Sequence, residues 1–216
     1  MKTDSELQQD VLDELTWAPE IEQGHVGVTA RDGVVTLSGN VPSYAMKIAA
    51  ERLARRVKGV KAIAEEIKVH LANDPKTSDE EIAERIVRIF TWDALIPANA
   101  IQVKVERGYV TLTGEVEWNY QKQAAYKAAG RIGGVLGVAS YITVRARPTP
   151  HDVRERILAA LKRSSEVDAS TIEVRIDGGK VRLSGAVRGW NERRTAEAAA
   201  WAAPGVVAVE DEIMLA

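Results

Sequence analysis

The feature that most constrains this chain is that it repeats. The string Gly33-Val34-Val35-Thr36-Leu37-Ser38-Gly39-Asn40-Val41 returns as Gly108-Tyr109-Val110-Thr111-Leu112-Thr113-Gly114-Glu115-Val116, and again as Gly179-Lys180-Val181-Arg182-Leu183-Ser184-Gly185-Ala186-Val187, at offsets of 75 and then 71 residues. The same offsets carry Leu7, Val11, Leu12 and Leu15 onto Ile82, Ile86, Val87 and Phe90, then onto Val153, Ile157, Leu158 and Leu161. They also carry Val26 and Val28 onto Ile101 and Val103, then Ile172 and Val174, and Ile67 and Val69 onto Ile142 and Val144, then Ile213 and Leu215. Every one is apolar, and no internal gap is needed. The change of offset falls in the linkers, His70 to Lys76 and Arg145 to Arg147, so the expected domains are residues 1–72, 73–147 and 148–216.

Each copy reads in the same order. Thr3, Ser78 and Thr149 align, each with an acid three positions on (Glu6, Glu81, Asp152); the first two make a capping box, and Pro150 follows the third at a first helical position. Apolar spacing of i, i+4, i+5 and i+8 predicts a first helix with one buried stripe. Strand alternation follows, broken at Arg31-Asp32-Gly33, Glu106-Arg107-Gly108 and Asp177-Gly178-Gly179, where glycine supplies the positive φ of a hairpin. Next comes an alanine-rich second helix with Met46, Ala50, Leu53 and Val57 facing inward. Gly59-Val60, Gly134-Val135 and Gly205-Val206 end that helix and open a last strand. The expected fold class is α+β: three tandem αββαβ domains, each a small mixed sheet packed with two helices and joined by a right-handed crossover.

Composition excludes several functions. With 29 basic and 31 acidic residues and a net charge of −2, the chain has no overall field for nucleic acid, and the copies separately carry about −2, +1 and −1. It has no cysteine, hence no disulfide, thiolate nucleophile or cysteine metal site. The histidines His25, His70 and His151 are scattered, and no metal or cofactor is expected. Ser38, Thr113 and Ser184 are aligned hydroxyls, yet they lack the flanking glycine pattern and histidine of a nucleophile elbow and are expected to face outward or to sit at a bulge. Gly33, Gly39, Gly108, Gly114, Gly179 and Gly185 flank a strand and precede no helix, so they are turn and bulge glycines and not a phosphate cradle. The apolar runs are too short to span a bilayer, and Met1-Lys2-Thr3-Asp4-Ser5-Glu6 runs straight into a helix cap without the apolar stretch of a leader; the chain as written is expected in the cytoplasm, or in the periplasm if a leader has been removed.

A helix, a Gly-x-Val-x-Leu-x-Gly-x-Val hairpin, an alanine-rich helix and Gly-Val before a final strand together resemble the BON domain, named for bacterial osmotically inducible and nodulation proteins. The resemblance covers nearly all of the chain, three times. It implies a non-enzymatic bacterial domain, often in tandem, associated with phospholipid or cell-envelope binding and with osmotic stress. It carries no catalytic residues over.

The binding surfaces must come from the differences between copies. Lys47, Arg52, Arg55, Arg56 and Lys58 make the second helix of copy one the most basic face, with Lys61 just beyond. Trp17 aligns with Trp92 at the end of the first helix, and Trp118 and Trp190 fall near the start of the second; at least two tryptophans are expected in core or interdomain packing, the others suiting a headgroup region. Ile89 stands where its equivalents are Glu14 and Ala160, widening the apolar face of copy two, and something is expected to cover it. The expected ligand is an anionic phospholipid surface, with a protein partner or self-association second and small-cation sensing by backbone carbonyls third. The oligomeric state is not readable from the sequence.

Overall fold

The computed structural model describes residues 2–21, 26–70, 77–146, 152–164 and 168–215. It forms six helices and three separate three-stranded sheets, and the αββαβ order holds in every copy. Copy one runs α1 (Asp4–Trp17), β1 (Val26–Arg31), β2 (Val34–Val41), α2 (Tyr44–Ala54) and β3 (Ala62–Val69). Copy two runs α3 (Asp79–Trp92), β4 (Ile101–Glu106), β5 (Tyr109–Val116), α4 (Asn119–Gly130) and β6 (Gly137–Val144). Copy three runs α5 (Val153–Arg163), β7 (Ile172–Asp177), β8 (Lys180–Val187), α6 (Trp190–Trp201) and β9 (Ala208–Leu215). Contacts divide the chain into two compact units, the first holding nearly all of copies one and two and the second holding copy three.

The long second strand is central in each sheet. In copy one, β1 pairs antiparallel with β2 from Val26↔Gly39 to Arg31↔Val34, and β3 pairs parallel with β2 from Val34↔Ala62 to Val41↔Val69; copy three repeats the pattern. Side-chain alternation along the central strand then buries Val35, Leu37 and Val41, and likewise Val110, Leu112, Val116 and Val181, Leu183, Val187, against the helices. The first helices contribute Leu7, Val11, Leu15; Ile82, Ile86, Phe90; and Val153, Ile157, Leu161. All of these are buried and form the core, but the i+5 position of the expected stripe is not part of it: Val87 is 54% exposed, and Leu12 and Leu158 are only partly buried, because that position lies at the edge of the helix face turned to the sheet.

Several local expectations change. The second helices end sooner than the apolar stripe suggests: α2 stops at Ala54, leaving Val57 beyond it, and the tightly packed pairs are Ala50/Ala54, Ala125/Ala129 and Ala196/Ala200. Small side chains four residues apart let each helix lie close to its sheet. Gly59, with φ 104°, therefore closes a turn several residues past the helix and is not its immediate cap. The third helix starts at Val153 with Asp152 at its N-cap and no side-chain capping bond, whereas the expected Thr149 cap and Pro150 lie outside the described residues. Gly39, Gly114 and Gly185 form the last pair of each antiparallel ladder, opposite Val26, Ile101 and Ile172.

The hairpin turns have only two residues each, Asp32-Gly33, Arg107-Gly108 and Gly178-Gly179, and all six have positive φ. That is the I′ pattern, whose twist matches the flanking strands. In copy two it forces Arg107 to φ 53°, a conformation L-residues resist. The turn is clamped by Asp79 from the first turn of α3, whose carboxylate accepts from the N–H of Arg107 (2.7 Å) and of Gly108 (2.8 Å). Arg107→Asn is expected to raise the stability of copy two by about 0.5–1 kcal/mol, because asparagine tolerates the left-handed region. A urea midpoint that falls for this variant would contradict the reading.

Candidate functional site

Copy one places its cations where acids meet them. Lys47 pairs with Glu65 (2.5 Å) and donates to the carbonyl of Ile67 (2.8 Å); Arg52 pairs with Glu20, Arg55 with Glu51 (2.5 Å) and Arg56 with Glu14 (3.4 Å). Arg55 is the C-cap of α2, which ends at Ala54, and Arg56 and Lys58 occupy the turn after it. Only Lys58 of the five has no acidic partner among the described residues. Exposed ion pairs add little stability, but they cancel one another's field at a distance, so the face that looks most basic as a string of letters is close to neutral in space.

Copy two behaves differently. On α3, Arg85, Arg88, Ile89 and Trp92 are spaced i, i+3, i+4 and i+7, which puts them on one face beside the buried Ile82–Ile86–Phe90 stripe. Trp92 is 84% exposed and Ile89 37%, with Leu95 of the following turn 55% exposed. Ile89 is thus exposed among the described residues. Arg85 and Arg88 are exposed, and neither has an ion-pair partner among the described residues. The nearest acid to the tryptophan, Asp93, caps the next turn by accepting from the N–H of Leu95 (2.9 Å). Ile89, Trp92, Arg88 and Asp93 line a shallow concavity there.

The equivalent face of copy one carries Asp10, Asp13, Glu14 and Trp17. Trp17 is 88% exposed, so the same ring is presented among acids in one copy and among cations in the other. Ile89 and the Trp17/Trp92 alignment stand out in the sequence, whereas Arg85 and Arg88 gain their meaning only beside them on the helix. The signal was available: four residues at helical spacing, two cationic and two apolar, without an acid among them.

The remaining tryptophans are half-buried. Trp190 opens α6 with the Arg193 guanidinium 5.3 Å from its ring centroid, and Arg193 is itself fixed by Asp211 (2.6 Å), which ties this tryptophan into copy three. Trp118 is half-buried and engaged in contacts of its own. Trp201 is partly buried and packs against the core of copy three, whereas Trp17 and Trp92 are exposed. His70 is exposed, while His25 and His151 lie outside the described residues. Among the described residues no group of three or more histidines and carboxylates is arranged to hold a metal ion, and no helix is long and apolar enough to cross a membrane.

Comparison with known proteins agrees with the repeat. The BON domain family model matches residues 3–70, 78–146 and 151–216. Osmotically-inducible protein Y of Escherichia coli (strain K12) is 27% identical over 139 residues, 62% of this chain and 69% of that protein. Among solved structures, CdsD, a structural protein of the type III secretion system of Chlamydia trachomatis, aligns over 96% of this chain and 91% of its own at 16% identity with a TM-score of 0.27. A structure of the CdsD C-terminal domain aligns over all of both chains at 15% identity with the same TM-score, and superpositions that loose carry no argument here. Matched three times in the register that its own internal repeat defines, the chain belongs to the BON domain family, with three copies in tandem.

Proposed function

We propose that this is a non-enzymatic binding protein of the osmotic-stress response that attaches to anionic phospholipid surfaces through the first helix of its second copy. The observation that carries this reading is the face of α3, where Trp92 and Ile89 stand exposed beside Arg85 and Arg88, cations without an ion-pair partner among the described residues. An indole prefers the boundary between headgroup and acyl chain, and each cation near an anionic surface contributes about 1 kcal/mol of attraction. Amphipathic helices bind membranes in the interfacial plane by this combination of apolar insertion and charge. The osmotic setting is taken from the name of the Escherichia coli relative, and the lack of catalysis from the family resemblance.

Co-sedimentation with vesicles of phosphatidylcholine alone, and of phosphatidylcholine with phosphatidylglycerol, tests it. Retention is expected only on the mixed vesicles and is expected to fall as salt rises from low to physiological concentration, because the attraction is screened over about 8–10 Å. If neither vesicle retains the protein at low salt, the phospholipid reading is overturned and a protein partner for the same face takes its place.

A further inference from the structure

Copies one and two share a second feature, the cleft where α2 of one meets α4 of the other within the first compact unit. Its floor is a pair of tyrosines. The Tyr44 and Tyr126 hydroxyls lie 2.9 Å apart across the two copies, Tyr44 is 9% exposed, and a Cβ built at Gly130 would rest 3.4 Å from the Tyr44 ring. The α4 backbone therefore sits directly on the tyrosine. Burial first, and the bond to Tyr126 second, push the Tyr44 hydroxyl far above the ordinary phenol range, so it stays protonated.

The cleft above this floor has a volume of about 320 Å³, at the lower end of the range for small-ligand sites. Ile48 and Ala49 of α2 form an apolar wall. Arg52 from copy one and Lys127 and Arg131 from copy two stand around it against a single acid, Glu20, which is already bound to Arg52 and holds that guanidinium in place. Neither Lys127 nor Arg131 has an ion-pair partner among the described residues. Two cations without ion-pair partners among the described residues, lining an apolar wall together with a guanidinium, are the chemistry that receives an oxyanion on an organic body.

We infer that the cleft between α2 and α4 binds a small organic phosphate, its phosphate held by Arg52, Lys127 and Arg131 and its apolar body laid against Ile48 and Ala49. The site needs both copies, which no single copy of the domain offers. It is separate from the α3 face, and the two stand or fall independently.

The test is a titration of the full ¹⁵N-labelled chain with phenyl phosphate, and separately with inorganic phosphate, followed by amide shifts. Phenyl phosphate is expected to move amides clustered at Ala45, Ala49, Tyr126 and Gly130, and inorganic phosphate to bind at least tenfold more weakly. Lys127→Ala/Arg131→Ala should weaken phenyl phosphate at least tenfold with an unchanged melting temperature, since both side chains are exposed, while Arg85→Glu/Arg88→Glu should leave it unaffected. The inference is overturned by the absence of shifts up to about 10 mM ligand, the weak limit of measurable affinity, by shifts scattered over basic residues elsewhere, or by inorganic phosphate binding as tightly as phenyl phosphate.

Discussion

Replacing Gly114 by alanine is expected to unfold copy two, or to destabilise it by about 3 kcal/mol or more. Gly114 has φ 141°, and a Cβ there would lie 2.1 Å from the carbonyl oxygen of Ala100 and 3.1 Å from the Cα of Ile101. Those are backbone atoms, and Ile101 is the residue that Gly114 pairs with in the β4–β5 ladder, so the neighbour cannot yield without the register going with it. A domain of this size holds a total stability of only about 3–10 kcal/mol, so the loss is comparable with the whole. Gly185 repeats the geometry in copy three, 2.0 Å from the Thr171 carbonyl, and Gly185→Ala is expected to behave alike. Gly133→Ala is the control, because a Cβ there meets nothing within 4 Å, and it should shift stability by no more than about 0.5 kcal/mol. Urea unfolding followed by circular dichroism separates the cases; a Gly114→Ala protein as stable as Gly133→Ala would show that the strand pairing at Ile101 is not as described.

The second large effect concerns binding. Arg85→Glu/Arg88→Glu removes two attractions of about 1 kcal/mol each to an anionic surface and replaces them with repulsions. Partition to vesicles containing phosphatidylglycerol should fall by about thirtyfold or more, and the salt dependence should flatten. Both side chains are exposed and off the core stripe, so the melting temperature should hold. Arg52→Gln/Arg55→Gln/Arg56→Gln should change partition far less, because each of those arginines already answers an acid. A larger loss from the copy-one variant than from the copy-two variant would place the contact on the wrong copy.

Much of this was legible in the letters. The register that aligns Leu37, Leu112 and Leu183 also aligns the buried positions of every helix and strand, because burial on a pleated strand and a helical stripe each imposes its own period. Pairing between strands followed from the short turns, which leave no choice but a hairpin, although only the structure showed that Arg107 shares the strained left-handed region with its glycine. The candidate site was less readable. Lys47, Arg52, Arg55 and Arg56 form a basic cluster along the chain, but Glu65, Glu20, Glu51 and Glu14 reach them in space, and three of those acids come from other elements. A string of charges records what is near in sequence, whereas a field depends on what is near in three dimensions. The cleft floored by Tyr44 and Tyr126 was invisible for the same reason, its two halves lying 82 residues apart.

The central claim, that copy two presents the membrane-binding face, is tested most directly by quenching of tryptophan fluorescence with brominated lipids in anionic vesicles, comparing the wild-type chain with Trp92→Phe and Trp17→Phe. The account predicts strong quenching of the wild-type protein, most of it lost in Trp92→Phe and nearly all of it kept in Trp17→Phe, since the face around Trp17 carries Asp10 and Glu14, paired with Lys2 and Arg56, and the acid Asp13, and so offers an anionic surface no attraction. Quenching that survives in Trp92→Phe, or that disappears only in Trp17→Phe, would contradict it.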